Sequence, residues 1–373
     1  MATDPYQGNY SDLSDLPSLP TMTHRWPAPQ FLPIGGQHRM AYRVVGNPAG
    51  EPWLLLHGGP GASCHPGLLQ PLDLSQQWAI APDQRACGAS RPRGQIARNT
   101  AQTLVSDLEA LRQRLGIARW NVLAGSWGTV VALVYAQRHP QRLGRLVLRG
   151  AFAAKRRELA GLLQPDRKVL GRVGVEPWWP RAPGYGVSSV LVALRRVVQS
   201  GTVGVAALRA VRRWNTLEMA CAAVGMRRSL RHAVFEGDTA LAVRIRRDVV
   251  GLARGIRRAQ ARAALPRSRP VDRRLRDKYR VQVHYLLHRG FVRPGELDRA
   301  VRTAGATGIA IEWVHGRFDA VCPRDNSEVW AAMGQGFVGA ARLSLTRAGH
   351  LGHEADTLDA LRAAVRQNLG RGR

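Results

Sequence analysis

Between residues 38 and 152 two hydrophobic periods alternate along the chain. Short runs rich in apolar residues, "HRMAYRVVG" (38–46), "EPWLLLHGG" (51–59), "WAIAPDQ" (78–84), "WNVLAG" (120–125) and "RLVLRGAF" (145–152), have the length and composition of strands. Among them lies "NTAQTLVSDLEALRQRLG" (99–116), where Leu104, Leu108, Leu111 and Leu115 recur at helical spacing and Gly116 stands where a C-cap is expected. Several strands are apolar throughout, as expected when helices cover both faces of a parallel sheet. The architecture is therefore α/β.

From about 153 to 303 the strand period disappears. Segments such as "SSVLVALRRVVQSG" (188–201), "VGVAALRAVRRWNTLEMACAAVG" (203–225) and "DTALAVRIRRDVVGLARGIRRAQARAAL" (238–265) are helical in period, interrupted by the Pro/Gly/Trp stretch "EPWWPRAPGYG" (176–186). Strands return at "GIAIEWVHG" (308–316) and "ARLSLT" (341–346), and a final helix is expected near 356–369. The expected organisation is a flexible lead-in over 1–30, an α/β core formed by 31–152 and 304–373, and a helical cap over 153–303 that covers the strand ends.

A chain of 373 residues, 45% of them hydrophobic, can bury a large core. The longest apolar stretches, 129–136 and 188–194, fall short of the roughly 20 residues a membrane-spanning helix needs. The N-terminal 30 residues are acidic and rich in Pro and Ser, without the basic-then-apolar layout of a secretory signal, so a cytoplasmic enzyme is the expectation. Cys64, Cys87, Cys221 and Cys322 are scattered, with no CxxC pair, which argues against a zinc site and against a disulfide framework.

Charge changes the picture. The formal net charge is +29, and across 151–300 there are 29 Arg and 3 Lys against 11 Asp and Glu, so +21 of it lies in the helical stretch. One explanation is a coding preference, since the whole chain has three lysines (Lys155, Lys168, Lys278) and arginine fills most basic positions. The other is an anionic partner, whether an acidic small molecule, a nucleic acid or a membrane surface.

Three loops carry the candidate chemistry. Ala124-Gly125-Ser126-Trp127-Gly128 joins a strand abruptly to a helix, a GxSxG-type elbow with Ala124 in the first glycine position. A serine hydroxyl is a poor nucleophile until an adjacent base activates it, and a tight turn exposes it above the sheet while leaving the next N–H free for an oxyanion. "HGGPG" (57–61) follows an early strand and offers the Gly59 N–H as a second oxyanion donor. "HGRFDAVCP" places Asp319 after a strand, and "RAGHLGHE" places His350 after the next. The order Ser126, Asp319, His350 is the nucleophile-acid-base order of an α/β-hydrolase fold. His353, one helical turn from His350, is the rival base.

These segments, with "DQRACGAS" (83–90), "NTAQTLVSDLEALR" (99–112) and "YAQRHPQRLGRLVLRGAF" (135–152), resemble the proline iminopeptidases across most of 38–152 and 308–355. The resemblance implies an α/β-hydrolase fold and a serine peptidase or amidase that works through an acyl-enzyme without metal or cofactor. It makes Ser126 the nucleophile, Asp319 the orienting acid, His350 the base, and Gly59 and Trp127 the oxyanion donors, with Asp83 to Arg85 as structural support. The family holds the substrate's α-ammonium on two cap glutamates. The first corresponds to Glu218 in "WNTLE" (214–218), where Leu217 replaces a tryptophan; the second corresponds to Gln282, a neutral amide. An Arg-dense cap repels a cationic amine and attracts carboxylates or phosphates.

The leading expectation is thus a proline-iminopeptidase-like serine hydrolase that cleaves an amide bond beside a proline-like residue. An esterase, amidase or acyl-transferring tailoring enzyme with the same triad, acting on a specialised and anionic metabolite, is the alternative that Gln282 and the basic cap favour. A binder of nucleic acid or anionic surfaces is a third reading, carried by the arginines alone, because no nucleic-acid motif or aromatic-basic interleaving accompanies them. Cys64, Cys87 and Cys322 all fall near the expected mouth and would make the enzyme sensitive to thiol reagents unless they are buried fillers. The Trp178-Trp179 pair either lines the acyl pocket or packs the cap.

Overall fold

The computed structural model describes residues 26–165, 170–171, 186–199, 204–263, 265 and 270–367. The Trp178-Trp179 pair and the lead-in before Trp26 lie outside the described residues. Eight strands form one sheet: β1 (Gln30–Pro33), β2 (Arg39–Gly46), β3 (Glu51–Leu56), β4 (Gln77–Pro82), β5 (Trp120–Gly125), β6 (Leu143–Arg149), β7 (Ala310–Gly316) and β8 (Ala341–Thr346). Their spatial order is β1-β2-β4-β3-β5-β6-β7-β8. β2 pairs antiparallel with both β1 and β4, and every other pairing is parallel. The strand order reverses between β3 and β5, so their carboxyl ends flank the crevice where open α/β sheets place ligands. Leu56 is in register with Ala124 there, which sets the "HGGPG" loop beside the serine turn.

The helix read from its leucines is α1 (Ala101–Arg114). Thr100 caps it: the Thr100 hydroxyl accepts from Thr103 N and the Thr103 hydroxyl accepts from Thr100 N, which satisfies two N–H groups. Leu104, Leu108 and Leu111 are buried, and Gly116 follows the last turn in a left-handed conformation. Helix α2 (Trp127–Arg138) is buried from Trp127 through Ala136, a stretch without a charged residue. One apolar cluster joins α1 and α2 to the sheet, and a second, around Trp53, Leu55 and Leu123, fills the opposite face beneath the last helix.

Between β6 and β7 the described residues form only helices: α3 (Arg156–Leu163), α4 (Val187–Gln199), α5 (Val205–Phe235), α6 (Thr239–Ala263), α7 (Pro270–Leu287) and α8 (Glu296–Ala306), with a short 3-10 turn at Arg289–Phe291. Helices α5 and α6 pack along each other, α7 packs on α4 and α5, and α8 packs on α2 and β7. Two more helices, α9 (Asp325–Met333) and α10 (Ala355–Arg366), flank β8. Part of the arginine excess is structural: Arg212 makes a two-pronged pair with Asp272 between α5 and α7, at 2.7 and 2.8 Å, with both side chains buried. Helix α5 continues ten residues past Gly225, and that glycine is a point of contact. A Cβ at 225 would lie 2.6 Å from the Phe318 carbonyl oxygen and 3.1 Å from the Gly349 α-carbon. Among the described residues, no helix is long and apolar enough to cross a membrane.

Candidate active site

Ser126 is the single residue between the end of β5 and the start of α2. Its backbone adopts φ 55° and ψ −124°, a sparsely populated region that costs a non-glycine residue on the order of 1–3 kcal/mol. The surroundings hold it there: Ser126 N donates to the Arg149 carbonyl at 2.9 Å, and Thr129 N and Oγ1 donate to the Ser126 carbonyl at 2.9 and 2.7 Å. Gly128 allows α2 to begin against the end of β3, where a Cβ would come within 2.5 Å of the Leu56 carbonyl oxygen. Ala124 fits the first glycine position of the elbow as a fully enclosed methyl.

The expected acid and base meet. Asp319 Oδ2 accepts from His350 Nδ1 at 2.7 Å, which leaves His350 Nε2 unprotonated in the neutral ring and free to act as a base. Val321 N and Cys322 N donate to Asp319 Oδ1 at 2.8 and 2.9 Å. Burial alone would raise the Asp319 carboxyl, but the His350 charge and hydrogen bonds from His315 and His350 hold it far below the usual carboxylate range. His353 has no part in this pair; it lines a separate cavity beside Asp248. Ser126 and His350 share no direct hydrogen bond, a spacing common before substrate binds. They are neighbours through strand β6: Ser126 N bonds Arg149, and the next residue, Gly150, lies under the imidazole, 3.3 Å from Cε1 to the site of a Cβ.

The two expected oxyanion donors are wired together. Trp127 N is the first N–H of α2, and neither it nor Gly59 N donates to a partner among the described residues. Gln84 links their loops: Gln84 N donates to His57 Nε2 at 3.0 Å, Gln84 Nε2 donates to the His57 carbonyl at 2.8 Å, and Trp127 Nε1 donates to Gln84 Oε1 at 2.9 Å. His57 therefore carries its proton on Nδ1 and donates to the Gly58 carbonyl, a neutral ring that burial keeps neutral. Arg85 forks onto Asp107 at 2.6 and 2.9 Å, and Asp83 accepts from Cys64 N and Ala89 N. Asp83 to Arg85, expected as structural support, thus contact the 57–61 loop, Cys64, the serine turn and α1.

Glu218 on α5 and Gln282 on α7 also come together, with company. Gln282 Nε2 donates to Glu218 Oε1, while Glu218 Oε2 accepts from Tyr279 Oη at 3.0 Å and from Lys278 Nζ at 2.5 Å. Gln282 Oε1 is buried without a hydrogen-bond partner. The Lys278 carbonyl presses on the loop of residues 57–61, where it would meet a Cβ at Gly61. All four cysteines are buried and free of disulfides, and burial pushes their thiols up, Cys221 to about 12. Cys322 Sγ stands 4.0 Å from Ser126 Oγ.

Sequence reasoning missed His315, which is fully buried with Nε2 3.4 Å from Asp319 Oδ2 and Nδ1 2.7 Å from Ser327 Oγ. It also missed Lys278, although a lysine is rare in this arginine-rich chain and this one stands one helical turn before Gln282. That rarity was the available signal.

A family model described as the alpha/beta hydrolase fold matches residues 51–181. A proline iminopeptidase of Xylella fastidiosa (strain 9a5c) is 31% identical over 342 residues, covering 90% of this chain and 94% of that protein. This chain belongs to the proline iminopeptidase family. The Xanthomonas citri proline iminopeptidase is 30% identical over 338 residues, 88% of this chain and 93% of its own. Among solved structures, the 2-hydroxy-6-oxo-6-phenylhexa-2,4-dienoate hydrolase of Rhodococcus sp. strain RHA1 superposes with a TM-score of 0.52 at 17% identity, over 90% of this chain and 96% of that one. That likeness establishes the α/β-hydrolase fold, and this member of the proline iminopeptidase family is a hydrolase built on it.

Proposed function

We propose that this proline iminopeptidase relative cleaves an amide bond next to a proline-like residue through an acyl-enzyme. Ser126 Oγ attacks the scissile carbonyl as His350 Nε2 takes its proton, and Asp319 holds the ring and offsets the charge it gains. The N–H groups of Gly59 and Trp127 receive the developing oxyanion. His350 then returns the proton to the leaving amine, and a water activated by the same imidazole releases the acyl group. The bonded pair of Asp319 and His350, set beside a serine on a constrained turn, carries this reading. The helices up to Gly295 serve as the cap and 31–152 with the chain from α8 onward as the core, a boundary earlier than the expected 303 because α8 packs on α2 and β7. Cysteines free of disulfides suit a reducing, cytoplasmic setting.

A second reading of the substrate is favoured by Lys278. Its ammonium occupies Glu218, and the remaining acceptor, Gln282 Oε1, is neutral, so the site fits a substrate presenting a neutral N–H or no amine at all. An N-blocked amide or an ester would then replace the free N-terminal proline. Turnover of a prolyl-arylamide, an N-acetylprolyl-arylamide and a simple acyl ester, each with Ser126→Ala as control, separates the two. Preference for the free amine upholds the first reading; preference for the blocked amide or ester upholds the second; activity that survives Ser126→Ala defeats both.

A further inference from the structure

Behind the serine turn lies a cavity of about 590 Å³ that the reaction above does not use. It opens between the carboxyl ends of β3 and β5, helix α10 and the cap helix α6. Its ionisable lining is Arg149, Arg244, Arg247, Asp248, His65 and His353. Arg244 is answered by Asp359 at 3.1 Å. Arg247 makes no hydrogen bond or ion pair among the described residues, and Arg149 donates to the His350 carbonyl without a carboxylate in ion-pair range. Burial keeps both histidines neutral, so three guanidiniums line the cavity against the single carboxylate of Asp248, with Asp319 and Glu354 acting on Arg149 from beyond ion-pair range. A half-buried cation without a counter-charge is costly, and an anion placed beside it relieves that cost. The rest of the wall is largely apolar, Leu68, Leu123 and Leu358 among it.

We propose that this cavity binds an organic acid, a carboxylate or phosphate on an apolar body, with Arg149 and Arg247 holding the acid group. Planar guanidiniums suit either anion through paired N–H donors. The position makes the site more than a passive one. The Arg149 guanidinium lies against Gly125, where Nη2 would meet a Cβ, and its Nη1 donates to the His350 carbonyl. An anion on Arg149 therefore touches the supports of nucleophile and base together.

Phenyl phosphate is the probe, titrated calorimetrically at fixed ionic strength, with benzyl alcohol as the neutral counterpart. One equivalent of phenyl phosphate is expected to bind at least ten-fold tighter than benzyl alcohol. Arg247→Gln should weaken it at least ten-fold, while Arg273→Gln, an exposed change elsewhere in the cap, should leave it unaltered. No saturable binding, or equal weakening by both variants, overturns the proposal, the latter by showing that the general basic surface is responsible. Thermal melts of each variant verify folding. Inhibition kinetics then distinguish the source of the anion: competition with substrate makes it the acidic end of the substrate, and a noncompetitive pattern makes it a separate effector.

Discussion

Lys278 Nζ sits 2.5 Å from Glu218 Oε2, so the carboxylate that the family resemblance assigns to a substrate amine already carries an ammonium from its own chain. The two side chains retain about a fifth of their exposure, so the pair is a modest one that a competing cation can displace.

Removing the internal ammonium should change which substrates are accepted. Lys278→Met is expected to lower KM for a prolyl-arylamide with a free amine by about ten-fold, the equivalent of about 1.4 kcal/mol, while KM for an N-acetylated analogue stays level. Michaelis constants measured for the two substrates check this. An unchanged ratio between them would remove Lys278 from substrate selection.

The catalytic assignment predicts steep losses. Ser126→Ala should abolish acyl-enzyme formation in a burst assay, and Asp319→Asn should reduce kcat by about 10³–10⁴-fold by leaving His350 in the wrong tautomer. His315→Gln, one bond further out, should cost less and act on kcat more than on KM. Intact kcat in Asp319→Asn would refute the assignment.

Glu354 gives a pH signature. It accepts from Gly349 N and Leu351 N at 2.7 and 2.8 Å, on both sides of His350, and burial pushes its carboxyl up to about 7 despite those donors. A raised carboxyl is bound more tightly as the protonated acid, so its contribution is full below about pH 4.5 and is lost as the pH rises through about 7. Relative to Glu354→Gln, the native chain should lose on the order of 3 kcal/mol of stability between pH 4.5 and 8. Denaturant melts of both proteins test it; parallel pH profiles would contradict it.

Thiol reagents should be ineffective on the folded enzyme. With every cysteine buried and its thiol raised, iodoacetamide at pH 7.5 is expected to label none of the four before denaturation and all four after it. Mass spectrometry reads the count. Rapid labelling of Cys322 in the native state would show that the space beside Ser126 is open to solutes.

Much of this was legible from local pattern. β5 and β8 fall where their periods place them, and the turn at Ser126 follows from an apolar strand meeting an apolar helix across small residues. Asp319 and His350 were readable because each follows a strand in a fixed chain order. What was not readable depends on tertiary approach. β1 is only four residues long, too short to show a period, and exists through pairing with β2. His315 looks like any strand histidine until the fold sets it under Asp319. Lys278 and Glu218 are 60 residues apart, and only the packing of α7 on α5 makes them partners.

Gly225 couples the two halves of the molecule mechanically. A point about two-thirds of the way along this 31-residue helix rests directly on the turns just before Asp319 and His350, with no side chain between to absorb a displacement. A shift of that rod would move Phe318 and Gly349 at once, so the seating of the long helix and the spacing of Asp319 and His350 form a single adjustable quantity.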